Sequence, residues 1–185
     1  SCLVSWARNV YKRQGEREDV EKCFNQTEPD EIYYLAGPSS VGESFIASRN
    51  AHDEIVAGTL NCLLALRSSV PAARFFNASS SECFGENGNL VNDEASPFCP
   101  VSPYARAKCE AFESVKYYRE HFGLHASSGI LFNHESPRRP ITFFSQKVIS
   151  TAWEIAKGKK DRLELGRIDI QRDWGWAPEF VEGIW

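Results

Sequence analysis

Apolar residues along this chain alternate between short continuous runs and longer stretches in which they recur at helical spacing. Val20, Cys23 and Phe24, for example, share one face of a helix that we predict for residues 16–28. We predict further helices for residues 48–68, 102–122 and 142–157 and one that begins at Pro178, and strands for residues 31–36, 74–78, 125–132 and 162–165. Such alternation is typical of an α/β fold with a doubly wound parallel sheet. Residues 1–15 show no clear period.

Polar residues follow several of the predicted strands. Residues 37–40, 79–82 and 133–139 each come directly after a strand, and residues 166–176 form a further loop that carries Arg172-Asp-Trp-Gly. Ligands of open parallel sheets bind at the carboxyl ends of the strands. We therefore expect a site at that edge, whereas residues 86–100 read as an ordinary polar loop.

Length, charge and cysteine usage restrict the function classes. The 185 residues suit one domain, and the net charge of −4 gives no support for a nucleic-acid or membrane-surface partner. No apolar run approaches the roughly 20 residues of a membrane span. The six cysteines include no Cys-x-x-Cys pair. We therefore expect reduced thiols in a cytoplasmic protein, rather than a disulfide framework or a zinc site.

The stretch Tyr104-Ala-Arg-Ala-Lys108 carries the clearest chemical signal. A Tyr and a Lys at this spacing lie on one face of a helix, and an ammonium beside a phenol lowers the pKa of the Tyr. We therefore predict that Lys108 tunes Tyr104 for proton exchange with a sugar or alcohol hydroxyl. Alone, the spacing also fits a partly buried Tyr beside a solvated Lys. The context favours chemistry, because Ser102 and Pro103 mark a helix start and Ser79–Ser81 lie about 20 residues upstream.

Four segments carry a family resemblance, and they are residues 78–85, 102–108, 129–139 and 172–175. They resemble the extended short-chain dehydrogenase/reductases, which include the NAD-dependent epimerases and dehydratases, and within them the GDP-mannose 4,6-dehydratase family. The run Gly129-Ile-Leu-Phe-Asn-His-Glu-Ser-Pro-Arg-Arg139 is the most specific. The resemblance extends from about Glu18 to Trp185 and implies a Rossmann-type fold, NADP (or NAD) as cofactor and hydro-lyase activity.

The implied reaction converts GDP-D-mannose to GDP-4-keto-6-deoxy-D-mannose by internal hydride transfer through NADP(H), a step of GDP-fucose biosynthesis. The resemblance implies that Tyr104 deprotonates the C4 hydroxyl with the help of Lys108. Ser80, where the family has Thr, would bond the C4 oxygen, and Glu82 would remove the C5 proton. The carboxylate is the discriminating group, because an epimerase or 4-keto reductase of this fold needs Tyr, Lys and Ser but no carboxylate there.

The same resemblance implies binding residues and partners. Cofactor contacts are expected at Leu35, Ala36, Gly37, Ser39, Tyr104, Lys108, His134 and Arg139. Substrate contacts are expected at Ser39, Ser81, Asn133, Lys147 and Arg172. Arg and Lys suit the charge of a nucleotide diphosphate, although Lys147 also fits a solvated helix face. The implied substrate is GDP-mannose, no metal is implied, and the full-length parent is expected to be a homodimer or homotetramer.

The chain departs from the family at several positions. The family usually has Ala-Ala-Gln-Ser-His where this chain has Ala36-Gly-Pro-Ser-Ser40, and Asn50 stands where relatives carry a cofactor-contacting Tyr. Met and the motif Gly-x-x-Gly-x-x-Gly are both absent from the sequence. We therefore expect a fragment without the glycine-rich N-terminus. Residues 1–185 would form a single partial NAD(P)-binding domain, and residues 140–185 would enter the sugar-nucleotide-binding part.

Two alternatives stay open. The chain could belong to another nucleotide-sugar epimerase, dehydratase or 4-keto reductase of the same group, which Glu82 and the run from Asn133 to Arg139 disfavour. It could also be catalytically inactive and only bind partners or nucleotide sugar, which the departures near Gly37 and at Asn50 favour. Residues 1–17 receive no functional assignment.

Overall fold

A computed structural model describes residues 16–37, 45, 52–86, 91–166 and 168–185. The chain divides into two compact units, Ser1–Ile130 and Leu131–Trp185. The expectations for residues 1–15, Ser39 and Asn50, and for the start of the predicted helix 48–68, lie outside the described residues. Within the described ranges, no helix combines the length and the apolar composition that a membrane span requires.

The first unit alternates helices and strands, as the sequence predicts. In chain order its elements are α1 (Arg17–Thr27), β1 (Glu31–Tyr34), a π-helical turn (Asp53–Ala57), α2 (Gly58–Ser69), β2 (Arg74–Ser80), a 3-10 turn (Ser81–Cys83), α3 (Pro103–Phe122) and β3 (Ala126–Leu131). The strand order is β1-β2-β3. Strands β1 and β2 are parallel, with Glu31 opposite Arg74 and Tyr34 opposite Asn77. Their carboxyl ends therefore meet at one edge, which brings residues 35–37 beside residues 78–80.

The core of this unit forms where the three helices cover the sheet. Phe75 of β2 is 1% exposed and packs in one cluster with buried residues of all three helices. These are Val20 and Phe24 of α1, Cys62, Leu63, Ala65 and Leu66 of α2, and Val115 of α3. Removing such side chains from water contributes roughly 25 cal/mol per Å² of apolar surface. Because helices alternate with strands and β1 and β2 are parallel, the predicted α/β fold with a parallel sheet is confirmed.

Helix α3 begins and ends where local sequence predicts. The Ser102 hydroxyl accepts a hydrogen bond from the Ala105 N–H at 3.1 Å, and Pro103 occupies the first turn. Gly123 ends the helix in the left-handed region at φ 66° and donates its N–H to the Arg119 carbonyl at 3.1 Å. The helix start at Pro103 places Tyr104 and Lys108 in the first part of the helix, where their four-residue spacing puts them one turn apart.

The second unit contains β4 (Asn133–Glu135), α4 (Phe144–Ala156), β5 (Trp174–Trp176) and α5 (Ala177–Ile184). Strands β4 and β5 pair in parallel, with Asn133 opposite Trp174 and Glu135 opposite Trp176. Pro178 lies in the first turn of α5, as predicted. The predicted strand at residues 162–165 is wrong, because these residues form a loop with an exposed Arg162–Glu164 ion pair at 2.9 Å.

Candidate active site

The carboxyl end of β2 delivers the serine-rich segment to the edge of the sheet. Ser79 is 4% exposed, and the Ser80 hydroxyl accepts a hydrogen bond from the Glu82 N–H at 3.3 Å. This bond caps the 3-10 turn and leads the chain out of the strand. The turn therefore presents Ser80 and Glu82 as close neighbours on a short, hydrogen-bonded piece of backbone.

The loop that contains Phe98 and Cys99 packs against the 3-10 turn. The Cys99 N–H donates to the Cys83 carbonyl at 2.9 Å. Phe98 makes edge contacts with Phe84 and with Phe112 of α3, at ring-centroid distances of 5.5 and 5.1 Å. Gly85 lies at φ 53°, and a Cβ there would stand 1.8 Å from the Cys99 carbonyl oxygen. Loop, turn and helix α3 are thus packed together, which restricts the position of Glu82.

Lys108 brings a buried ammonium to the same edge. Its side chain is 7% exposed, and Nζ donates to the Ala78 carbonyl of β2 at 2.8 Å. Burial lowers the pKa of Lys108 from 10.5 to about 8. The pKa remains above neutral pH, so the group keeps its positive charge at the end of the strand.

Tyr104 packs in a small apolar cluster with Ile55 and Val56 of the π-helical turn and with Ala107 and Ala111 of α3. The phenol is 8% exposed, and burial raises its pKa above 10.0. A hydrogen bond with Ser80 acts in the opposite direction and lowers the Tyr104 pKa.

The predicted depression of the Tyr104 pKa by Lys108 is wrong for this structure. The Lys108 Nζ lies 5.8 Å from the centre of the Tyr104 ring and is bonded to backbone. The negative charges of Cys83 and Glu82 also raise the pKa of the phenol. Helical spacing does bring the two side chains to one face, but removal of the phenol from water is the largest influence on its pKa.

The first unit therefore brings together the four predicted catalytic residues Ser80, Glu82, Tyr104 and Lys108. A hydroxyl, a carboxylate, a phenol and an ammonium at one edge can bond a substrate oxygen and exchange protons with it. Ser81 begins the turn that carries Glu82. The predicted cofactor residues Leu35, Ala36 and Gly37 follow β1 at the same edge of the sheet.

Gly37 allows the chain to leave β1 in a backbone conformation that favours glycine. Its φ is +109°, and a Cβ there would lie 2.9 Å from Cγ1 of Ile55. A side chain is therefore excluded both by the backbone conformation and by the neighbouring Ile55. The Cα of Gly37 is therefore packed closely against Ile55 of the π-helical turn.

In the second unit, His134 and Arg139 lie together. The Arg139 guanidinium donates to the His134 carbonyl at 2.9 Å and stacks over the Phe143 ring at 3.9 Å. The His134 Nδ1 lies 2.9 Å from the Phe132 carbonyl. That contact requires a proton on Nδ1.

Asn133 is half-buried in β4, whereas Lys147 and Arg172 are exposed. The Arg172 guanidinium donates to the adjacent Gln171 carbonyl at 2.9 Å. Among the described residues, neither cation forms an ion pair or hydrogen bond with Asn133 or His134. The structure thus joins His134 to Arg139 but does not join the two predicted phosphate ligands to them.

Sequence reasoning missed the residues that hold Arg139. Glu135 accepts a short hydrogen bond from the Ser145 hydroxyl and lies 3.7 Å from the Arg139 Nε. Glu135 and Phe143 therefore clamp the guanidinium between an anion and an aromatic ring. Because these residues form a strand and a turn, the four-residue spacing of Glu135 and Arg139 carries no helical signal, and the pair could not have been predicted from local sequence.

Comparison with known proteins adds a family. The model of a family described as GDP-mannose 4,6 dehydratase matches residues 10–185. The GDP-mannose 4,6-dehydratase of Sinorhizobium fredii (strain HH103) is 46% identical over 177 residues, which cover 95% of this chain and 50% of the relative. The chain thus spans about half the length of the curated relatives it matches.

Solved structures share the fold. A structure described as RMD from Pseudomonas aeruginosa complexed with NADPH has a TM-score of 0.84 and 25% identity, covering 91% of this chain and 58% of the other. A UDP-N-acetylglucosamine 4-epimerase from Methanobrevibacter ruminantium M1 has a TM-score of 0.80 and 25% identity, covering 94% and 55%. Different chemistries therefore occur on this fold.

Proposed function

This chain belongs to the GDP-mannose 4,6-dehydratase family, and we propose that its site dehydrates GDP-D-mannose to GDP-4-keto-6-deoxy-D-mannose. The observation that supports this best is the carboxylate Glu82 beside Ser80, at the edge that also holds Tyr104 and Lys108. Epimerases and 4-keto reductases of the same fold need the hydroxyl, phenol and ammonium but no carboxylate at this place. The protein is accordingly a hydro-lyase.

In this proposal each side chain has one task. Tyr104 takes the proton of the C4 hydroxyl, while Ser80 bonds the C4 oxygen and shares a hydrogen bond with Tyr104. Glu82 removes the proton at C5, which the 4-keto group has made acidic, and passes a proton to the departing C6 hydroxyl. The result is loss of one water with no net oxidation. Lys108 does not lower the pKa of Tyr104 in this structure, and its task is to hold the ribose of the nicotinamide.

The edge of the sheet fits a nicotinamide cofactor. Residues 35–37 lie beside the end of β2, where the buried ammonium of Lys108 can hold a ribose hydroxyl. Bound NADP, or NAD, would supply a positive charge beside the phenol, accept the C4 hydride and return it at C6. Leu35, Ala36, Gly37, Ser39, Tyr104, Lys108, His134 and Arg139 are the residues proposed to hold it. The His134 ring, oriented by its contact with the Phe132 carbonyl, and the clamped guanidinium of Arg139 provide a polar ring and a cation.

The nucleotide sugar would be held by polar and cationic groups. Ser39, Ser81, Asn133, Lys147 and Arg172 are the residues proposed to bind it. Lys147 and Arg172 are exposed and so can reach a diphosphate, which charge-assisted hydrogen bonds from Arg and Lys recognise well. We also propose a cytoplasmic homodimer or homotetramer as the working assembly, which sedimentation measurements can test.

The test is a chimera in which this chain replaces the matched half of the Sinorhizobium fredii relative. We expect the purified chimera to convert GDP-mannose to a 4-keto-6-deoxy product with only catalytic NADP. The unaltered relative serves as the positive control. Circular dichroism and NADPH binding report whether the chimera has folded.

A folded chimera that binds NADPH and acts only on UDP-sugars would contradict the proposal. A requirement for stoichiometric NADPH would contradict it as well, since internal hydride transfer regenerates the cofactor. The latter result would favour a reductase. A folded chimera that binds the nucleotide sugar without turnover would instead favour the inactive, binding-only alternative.

A further inference from the structure

Two cysteines flank the proposed catalytic residues. Cys83 directly follows Glu82, and Cys109 directly follows Lys108. Helix α3 packs against the 3-10 turn, and the Cys109 Sγ lies 3.9 Å from the Cys83 carbonyl oxygen. The Cys109 thiol also lies close enough to the Cys83 thiol to act on its pKa as a hydrogen-bond donor. The chemistry proposed above uses neither of them.

The surroundings of Cys83 favour a thiolate. Its sulfur lies 3.6 Å from the Ser79 hydroxyl, and the Lys108 ammonium is close enough to act on it. The hydrogen bond from Cys109 is the main cause that lowers the pKa of Cys83 to about 7, and it raises the pKa of Cys109. The pair therefore loses its first proton easily and its second with difficulty, as interacting dithiols do.

Access to the pair is through Cys109. Cys83 is 0% exposed, whereas Cys109 is half-buried at the surface of α3. The thiolate forms first on Cys83, and transfer of the Cys109 proton to Cys83 moves the negative charge to the accessible sulfur, which then acts as the nucleophile. A small oxidant can reach it without unfolding of the core.

We propose that Cys83 and Cys109 form an oxidation site, at which hydrogen peroxide produces an intrachain disulfide that links the turn of Glu82 to the helix of Lys108. The thiolate attacks one peroxide oxygen, which breaks the O–O bond, yields a sulfenic acid and releases hydroxide that is protonated to water. The second thiol then attacks the sulfenic sulfur, forms the S–S bond and expels a second water. Two thiols and one peroxide thus give one disulfide and two waters. Thiol reductants reverse the reaction by exchange.

The disulfide changes the site because its geometry is strict. The sulfur atoms must approach to about 2.05 Å, far closer than two hydrogen-bonded thiols. The turn and the helix therefore shift relative to each other, and each carries a proposed catalytic residue directly before its cysteine. If the proposed dehydratase function is correct, on which this step rests, oxidation reduces turnover, because a displacement of about 1 Å can cost roughly 100-fold in rate.

The chain offers a matched control pair. Cys62 is buried and Cys23 is half-buried beside it, as Cys83 is beside Cys109. Burial raises the pKa of Cys62 to about 12, so it carries no thiolate at neutral pH. Cys99 is exposed, and its N–H is bonded to the Cys83 carbonyl, which makes it the nearest competitor for a bridge.

The experiment treats the 185-residue chain with hydrogen peroxide at neutral pH, alkylates the remaining thiols after denaturation and maps the peptides by mass spectrometry. We expect a bridge between Cys83 and Cys109 that dithiothreitol removes, while Cys62 remains alkylated. Cys109→Ser should abolish the bridge, and Cys23→Ser, at a site of similar exposure, should leave it intact. In the active chimera, peroxide should lower turnover at least about tenfold. Reductant should restore it, and Cys109→Ser should make turnover resistant to peroxide.

A bridge between Cys83 and Cys99, or oxidation that leaves both Cys83 and Cys109 alkylated, would overturn the proposal. If the disulfide between Cys83 and Cys109 forms in the chimera and turnover stays unchanged, the proposed effect of oxidation on the catalytic residues is wrong. The peptide map is independent of any activity. A folded chimera that binds NADPH but has no dehydratase activity would therefore refute the proposed function and leave the oxidation site to be decided by the map.

Discussion

At the residue scale, burial and hydrogen bonding oppose each other at Lys108. The ammonium donates to the Ala78 carbonyl, yet burial lowers its pKa from 10.5 to about 8. One pKa unit corresponds to about 1.4 kcal/mol, so charging Lys108 at neutral pH costs the folded state about 3 kcal/mol relative to a solvated lysine. A charge kept at such a cost is typical of a functional site.

This cost predicts the stability of Lys108→Met. Between about pH 8 and pH 10.5 the unfolded chain binds more protons than the folded one, so the stability of the unsubstituted chain rises with pH there. We expect Lys108→Met to be more stable by about 1–2 kcal/mol at neutral pH, after loss of the hydrogen bond. The gain should disappear as the pH rises toward 10.5.

Urea unfolding across this pH range provides the measurement. Lys116→Met, which changes an exposed lysine of the same helix, is the control and should alter stability little at any pH. If Lys108→Met instead destabilises the chain equally at neutral and alkaline pH, burial does not lower the pKa of Lys108.

Glu82 carries a separate prediction. Oxidation at C4 does not need this carboxylate, whereas removal of the C5 proton does. In the chimera, Glu82→Gln should still reduce NADP slowly with GDP-mannose but should form almost no dehydrated product. Nicotinamide absorbance and product analysis separate the two steps. Glu86→Gln, at an exposed position after the turn, should behave like the unsubstituted chimera. Dehydration at the normal rate by Glu82→Gln would exclude Glu82 as the base.

At the scale of the elements, the sequence predicted those features that depend only on neighbouring residues. Ser102, Pro103 and Gly123 fix helix α3 through caps and a left-handed turn, which involve only neighbouring residues. The strands β4 and β5 each have three residues and exist because they pair with each other. Since they are distant in the chain, their sequences alone read as loops. The same reason explains the Tyr104 pKa, because Ile55 and Val56 bury the phenol from another element.

The turn that carries Glu82 depends on a glycine, and a pair of substitutions can measure this. Gly85 and Gly123 have similar φ values, 53° and 66°. A Cβ at Gly123 meets nothing within 4 Å, whereas one at Gly85 would lie 1.8 Å from the Cys99 carbonyl oxygen. Gly123→Ala should therefore cost only the conformational strain, about 1–2 kcal/mol.

Gly85→Ala should cost clearly more than Gly123→Ala, because the loop around Cys99 must also move away from the turn. Urea unfolding of both variants provides the comparison. The displaced loop should also increase the rate at which Cys83 is alkylated in the folded chain. Equal costs for the two substitutions would show that the contact between loop and turn contributes little to the position of Glu82.

At the scale of the whole molecule, the sequence identifies the family more specifically than the fold does. The run from Gly129 to Arg139 indicated GDP-mannose 4,6-dehydratases, and the family match over residues 10–185 confirms it. The fold alone is shared with RMD and with an epimerase at TM-scores of 0.84 and 0.80. A parallel sheet provides the edge, and the side chains at that edge determine the reaction. Individual roles could be predicted only through the family, since proton transfer depends on the position of a bound substrate.

The last prediction concerns cofactor affinity of the chain by itself. Much of the dinucleotide affinity of Rossmann folds comes from a glycine-rich turn and the helix behind it, whose N–H groups and dipole meet the pyrophosphate. The 185 residues contain no Gly-x-x-Gly-x-x-Gly motif. Each charge-assisted hydrogen bond contributes about 1.5–3 kcal/mol, so several fewer weaken binding by orders of magnitude. Calorimetric titration with NADPH should therefore give weak binding by this chain and much tighter binding by the Sinorhizobium fredii relative and by the chimera. Low-micromolar binding by the chain alone would show that its own residues provide a pyrophosphate site of another kind.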